Sequence, residues 1–118
     1  MNNKPITPAW HGIIDYGFAA IQLAAPSLLG LNRQTIRTYQ VLGGGFMVVN
    51  AITDTPAAVK PIISLKTHQK VDAAFLVGVS LLSFTRFIRR DRQSLGFHLG
   101  FLGTAITNYV LTDYEAGT

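Results

Sequence analysis

Apolar and polar positions fall along this chain in long blocks. Charged residues are clumped, leaving uncharged stretches at Tyr16–Leu31, Thr38–Thr53, Ala73–Thr85 and Ser94–Thr112. The hydrocarbon core of a bilayer, about 30 Å thick, takes roughly 20 helical residues, with about 17 as a lower bound. With their flanks the stretches reach that length as His11–Gly30, Thr35–Thr53, His68–Ile88 and Ser94–Thr112. The pattern predicts an all-α chain, a four-transmembrane-helix bundle forming a single membrane domain over residues 1–118. A soluble four-helix bundle is the alternative, because Gln22, Asn50 and Asn108 interrupt the apolar runs. Such a bundle needs a charged outer stripe on each helix, yet Ile36–Thr53 carries only Arg37 and Ser94–Thr112 carries no charge.

The blocks are also written twice. Lys4-Pro5-Ile6, then His11, Asp15 and Phe18, is echoed by Lys60-Pro61-Ile62, then His68, Asp72 and Phe75. The second segment of each copy ends in Thr-Asp, at Thr53-Asp54 and Thr112-Asp113. This reads as two repeated helical hairpins, about 4–55 and 60–115, each burying its face against the other. In an up-down-up-down bundle, His11, Asp15, Thr53, Asp54, His68, Asp72, Thr112 and Asp113 all converge on one membrane face. Within the first helix His11, Asp15 and Gln22 stand at i, i+4 and i+11, close to one stripe. The position equivalent to Gln22 is Val79, and the position equivalent to His98 is Val41, so His98 reads as an interhelical residue outside the repeat.

Ionisable groups inside a span are costly unless they face the bundle interior and pair. Three chemistries suit His11, Asp15, His68 and Asp72. As a clip, each imidazole N–H donates to a carboxylate and each Thr-Asp satisfies backbone at a helix end, with Gln22, Thr53, Asp54, Thr112 and Asp113 completing a polar cluster. As a site, two His and the Asp residues around a pseudo-twofold axis bind a divalent cation such as Zn, Mn or Fe, or relay protons. As haem ligands, His11 and His68 are symmetry-related, although two Asp one turn deeper suit an apolar macrocycle poorly. The spacing matches no zincin motif, since each helix supplies only one His.

Composition adjusts this picture in few places. A hydrophobic fraction of 48%, a mean hydropathy of +0.29 and 14% charged residues fit the membrane reading. The net charge of +4 lies mostly at the hairpin turns: Arg33 and Arg37 flank the first, and Arg86, Arg89, Arg90 and Arg92 the second. The positive-inside bias then makes that side cytoplasmic and puts both termini outside. No recognition motif or aromatic-studded basic surface indicates nucleic acid. The absence of cysteine excludes disulfides, thiolate chemistry, iron–sulfur clusters and Cys-type zinc sites. The first apolar segment, lacking a basic n-region and a cleavage site, reads as a retained span.

Close approach of helices in lipid depends on small residues, which nominates Gly43, Gly44 and Gly45 in the second segment and Gly96, Gly100 and Gly103 in the fourth for helix packing. Neither group resembles a phosphate loop, for no strand precedes it and no Lys-Ser/Thr follows.

His-Gly-Ile-Ile-Asp-Tyr at His11–Tyr16, Leu-Ala-Ala-Pro-Ser-Leu-Leu-Gly at Leu23–Gly30, the Thr-Asp ends, the second His-x-x-x-Asp and the Leu-Thr-Asp-Tyr-Glu run at Leu111–Glu115 resemble small bacterial membrane proteins of the SPW-repeat family. Where that family's name calls for Ser-Pro-Trp, this chain has Ala25-Pro26-Ser27 and Ser83-Phe84-Thr85. The resemblance implies paired two-helix membrane hairpins and carries no activity or catalytic residues with it. The resulting expectation is a structural or accessory protein of the bacterial inner membrane with periplasmic termini, whose partners are the lipid bilayer and other membrane subunits. The rival is a cation-binding or proton-handling protein using the His/Asp face. An enzyme is the weakest class, because no nucleophile or cofactor motif is present.

Overall fold

The computed structural model describes residues 4–116, and these are helical: α1 (Pro8–Leu28), α2 (Arg33–Ala51), α3 (Leu65–Leu82), a short α4 (Arg86–Arg89) and α5 (Arg92–Leu111). Each long helix begins where the sequence supplies a cap. Thr7 accepts the Trp10 N–H ahead of Pro8, Asn32 accepts that of Thr35, Ser64 that of Thr67, and Asp91 that of Gln93. Gly30 ends the first hairpin turn at φ 66°, a left-handed conformation that costs glycine nothing. The third predicted segment differs from the observed helix. It is broken after Leu82, because the Ser83, Phe84 and Thr85 N–H groups fold back onto the carbonyls of Ser80, Leu81 and Leu82, and α4 starts afresh.

The repeat is visible in the backbone. Ile6 pairs with Thr112 and Ile63 with Thr53 as isolated parallel bridges, fixed by Asp113 N–H to the Ile6 carbonyl at 2.8 Å and Asp54 N–H to the Ile63 carbonyl at 2.9 Å. Each Pro-Ile segment is therefore tied to the Thr-Asp end of a repeat, and the last helix is stitched back to the first.

The interior is rich in polar groups. Among the described residues, twelve polar or ionisable side chains are buried against ten hydrophobic ones, while Leu28, Val41, Val77 and Leu81 are 85%, 76%, 61% and 62% exposed. The apolar part of the interior is a cluster of Tyr39, Val79, Ile88, Phe101 and Ala105 with Phe18, Phe75 and Phe97 around it. Among the described residues no helix is long and apolar enough to cross a membrane. The all-α expectation holds, while its membrane-spanning part finds no support in the hydropathy of any single helix among the described residues. The physical reason is visible in α1, where His11, Asp15 and Gln22 face inward and lower its average while Ile13, Ile21 and Leu28 face outward.

The glycines also divide differently from the sequence expectation. Of the six nominated for packing only Gly43 is closely faced: a Cβ there would lie 2.8 Å from Gln22 Cβ and 3.1 Å from the Ala19 carbonyl. At Gly44, Gly45, Gly96, Gly100 and Gly103 a Cβ would meet nothing within 4 Å. Gly12, not nominated, is the second tight position, 2.7 Å from Ala57 Cβ. Gly43→Ala is expected to destabilise the fold by about 1–3 kcal/mol through overpacking. Gly44→Ala and Gly100→Ala, relieved of glycine's helix penalty, should each add roughly 0.5–1 kcal/mol. Thermal unfolding of the three variants checks the contrast.

Candidate functional site

A spacing of four residues puts His11 and Asp15 on one face of α1, and His68 and Asp72 on the matching face of α3. The bundle turns the two faces toward each other across its axis. His11 Nε2 lies 2.9 Å from Asp15 Oδ2 and 3.1 Å from Asp72 Oδ2, and His68 Nε2 lies 3.0 Å from Asp15 Oδ2 and 3.2 Å from Asp72 Oδ1. The two Nε2 atoms are themselves 3.2 Å apart, and the rings stand nearly perpendicular at 84°. All four residues are buried, with Asp72 the most exposed at 5%.

The groups behind this centre determine which way its hydrogens point. Thr53 Oγ1 donates to the Val49 carbonyl and Thr112 Oγ1 to the Asn108 carbonyl, both at 2.6 Å. A hydroxyl has one hydrogen, so each threonine oxygen can only accept from the imidazole beside it. His68 Nδ1–H donates to Thr53 at 2.6 Å and His11 Nδ1–H donates to Thr112 at 2.8 Å. When neutral, both histidines therefore turn an Nε2 lone pair toward the two carboxylates. Asp15 Oδ1 accepts from Asn108 Nδ2 at 3.1 Å, and Asp72 Oδ2 accepts from the Tyr114 hydroxyl at 2.7 Å. Burial, and then the Asp72 charge, push the Tyr114 phenol well above its ordinary range, so it remains a donor.

Of the predicted cluster, Thr53 and Thr112 join the centre. Gln22 is buried elsewhere on α1, with its Nε2 donating to the Phe18 carbonyl. Asp54 is exposed, and Asp113 accepts the Glu115 N–H in a local turn. Both lie beyond the helix ends, α2 closing at Ala51 with Ile52 as its cap and α5 at Leu111 with Thr112 extended at φ −80°, ψ 133°. Tyr114 and Asn108 are working members that the sequence reading did not assign to the centre. Neither has a like residue at the matching place in the first repeat, which holds Thr55 and Val49.

A second polar seam runs along the opposite half of the axis. Tyr39 OH meets His98 Nδ1 at 2.6 Å, Thr35 Oγ1 donates to Ser94 Oγ at 3.0 Å, and Asn32 Nδ2 donates to Asp91 Oδ2 at 2.8 Å. Each pair is separated by 59 residues, whereas His11 and His68 are separated by 57. The counterpart of His98 is therefore Tyr39 and not Val41, because the second repeat carries two extra residues at its hairpin turn. His98 also meets Ser83 Oγ at 2.9 Å and takes no part in the His/Asp centre. Hydrogen bonds from Ser94 and Asn32 hold the Asp91 carboxyl below the usual carboxylate range.

Between the two seams lies a cavity of about 20 Å³ lined by Phe18, Phe46, Phe75, Phe101, Asp72 and Asn108, room for about one water. The buried Asp72 Oδ1 and Asn108 Oδ1 find no hydrogen-bond donor. The haem alternative does not fit this geometry. A haem iron needs its axial nitrogens on opposite faces of the macrocycle, and here the two Nε2 atoms are in mutual contact with both carboxylates packed against them. Two lone pairs and two carboxylates facing one point call for a cation, either protons or a metal ion.

No protein-family model, curated protein or solved structure matches the chain.

Replacing either threonine removes the acceptor for a buried imidazole N–H. Thr53→Val and Thr112→Val should each cost about 1–3 kcal/mol of stability, while Thr107→Val, an exposed site on α5, stays within about 0.5 kcal/mol. Thermal unfolding of the purified variants reads the difference.

Proposed function

We propose that this chain is a small integral membrane protein of structural or accessory role, its four long helices crossing a bilayer around a polar axis. The observation that supports this reading best is a polar-rich interior beneath an apolar surface. In water the hydrophobic effect drives apolar side chains inward, and an interior built on His11, Asp15, Gln22, Asn50, His68, Asp72, His98 and Asn108 beneath a surface of Leu28, Val41, Val48, Val77, Leu81 and Val110 reverses that order. In lipid the same arrangement is favourable, since polar groups pair between helices and apolar ones meet acyl chains. The modest hydropathy of each helix follows from averaging these two faces. Trp10, 59% exposed at the start of α1, suits the interfacial belt.

The six arginines at the two hairpin turns support a cytoplasmic location for that end, with the His/Asp centre toward the periplasmic side of an inner membrane. The SPW-repeat resemblance belongs to the same proposal. A structural role is favoured over catalysis by the closure of the centre: with its four residues at 5% exposure or less, it holds helices together and offers no open face to a substrate. Apolar outer faces on all four long helices suit packing against larger membrane subunits as well as lipid.

Cell fractionation tests the membrane assignment. The protein should stay in the membrane pellet through an alkaline carbonate wash and enter solution only with detergent; a monodisperse species without detergent would refute the reading. For sidedness, a reporter fused at the C-terminus should be active as a periplasmic fusion, and cytoplasmic activity would reverse the orientation.

A further inference from the structure

We propose that His11, Asp15, His68 and Asp72 form a closed tetrahedral site for one divalent transition cation of the zinc class, and that this ion clamps the two hairpins together. The inference goes beyond membrane residence and stands apart from it, because the donor geometry would be the same in lipid or in water.

Three observations converge on it. The first is the tautomer: Thr53 and Thr112 use their hydroxyl hydrogens on helix carbonyls and take up the Nδ1–H of His68 and His11. Both Nε2 lone pairs are thereby presented to the same point, as a metal requires of neutral imidazole, and the outer hydrogen bond is the usual device for orienting a ligand histidine. The second is spacing. Zinc bound at about 2.0–2.1 Å by nitrogen and oxygen in a tetrahedron separates its ligand atoms by about 3.3–3.4 Å. With Asp72 Oδ1 as its ligand atom, four of the six separations are 2.9, 3.0, 3.2 and 3.2 Å, and one ligand atom from each of the four residues lies within 4.8 Å of all the others, so the cluster closes on an ion by side-chain adjustment. The third is Asp72 Oδ1, a buried carboxylate oxygen without a hydrogen-bond donor, 3.2 Å from His68 Nε2 and directed into the cluster.

Every ligand then has its own outer partner: Thr112 for His11, Thr53 for His68, Asn108 for Asp15 and Tyr114 for Asp72. The choice between metal and protons turns on charge. Two carboxylates need two positive charges in this volume. Supplying them as protons puts two imidazolium Nε2 atoms 3.2 Å apart, a like-charge contact in a poorly screened interior. A single divalent ion supplies the same charge from the midpoint and removes that repulsion. Two nitrogens and two carboxylates suit Zn, Fe or Mn better than Mg or Ca, which prefer larger all-oxygen shells. Full burial with four protein ligands is the structural rather than the catalytic form of such a site.

The test uses the full chain, purified with its affinity tag removed. Elemental analysis should find about one equivalent of transition metal, and stripping with a chelator should lower the thermal midpoint, with Zn²⁺ restoring it and Mg²⁺ not. Co²⁺ added to the stripped protein should give the intense visible bands of a tetrahedral ion. His11→Gln and Asp72→Asn should abolish those bands. Thr112→Val, which keeps all four ligands, should retain the bands with roughly 10–100-fold weaker affinity. Folded wild-type protein, verified by circular dichroism, that neither carries metal nor responds to Zn²⁺ or Co²⁺ would overturn the proposal. So would undiminished Co²⁺ bands in both His11→Gln and Asp72→Asn, since the ion would then lie elsewhere.

Discussion

Two buried carboxylates meeting two buried imidazoles are the constraint on which the rest of this structure depends. An ionised carboxylate taken from water without compensation costs several kcal/mol or more, and Asp15 and Asp72 each meet the imidazole of their own helix and that of the other hairpin. The mutual requirement brings side chains of α1 and α3 together across the bundle axis and sets the register of the two helices, because only one alignment places each Nε2 within 3.2 Å of both carboxylates. The surrounding features serve that alignment. Thr7 and Ser64 start the two helices so that the histidines fall in their first turns. The Ile6–Thr112 and Ile63–Thr53 bridges then bring a threonine to the back of each imidazole.

The same contacts reveal how the repeat is used. Equivalent residues do not decorate separate halves; they touch across the axis, His11 on His68 at one end and Tyr39 on His98, Thr35 on Ser94 and Asn32 on Asp91 at the other. A residue placed near a twofold axis meets its own counterpart, so equivalent positions form both sides of one contact. At Tyr39–His98, Thr35–Ser94 and Asn32–Asp91 the two copies carry different, complementary residues. A tyrosine hydroxyl facing imidazole and an asparagine amide facing carboxylate are pairs that identical residues could not make as well, since donors must meet acceptors.

How much of this was legible from residues alone follows from the physics of each part. His11, Asp15, His68 and Asp72 could be found because the four-residue spacing and its repetition are local features, and helix geometry turns them directly into a shared face. Thr53 and Thr112 were findable for the same reason. The second seam was hidden by two extra residues in the later hairpin turn, which shift the correspondence of the second helices from 57 to 59. Tyr114 was hidden because it works across a tertiary contact with no echo in the first repeat. The glycines were misassigned because small size shows that a close approach is possible, while only the packed structure shows that Gly43 and Gly12 are approached and Gly44 or Gly100 are not. The break after Leu82 escaped because Ser83-Phe84-Thr85 is uncharged and looked continuous with the apolar run.

The polar axis and the apolar exterior have one cause. A helix that must present His, Asp, Gln or Asn to an axis has a fixed number of positions left for its outer face, so its average hydropathy falls as its interior becomes more functional. The absence, among the described residues, of a helix apolar enough to cross a membrane on that average therefore measures the sum of two faces with opposite duties. Separating them gives different answers: α1 turns His11, Asp15 and Gln22 to the axis and Ile13, Ile21 and Leu28 outward. The outward set is what a solvent meets. A chain that gathers His11, Asp15, His68 and Asp72 at an internal centre, and leaves Leu28, Val41, Val77 and Leu81 at its periphery, sets polar positions on the axis and apolar ones at the surface.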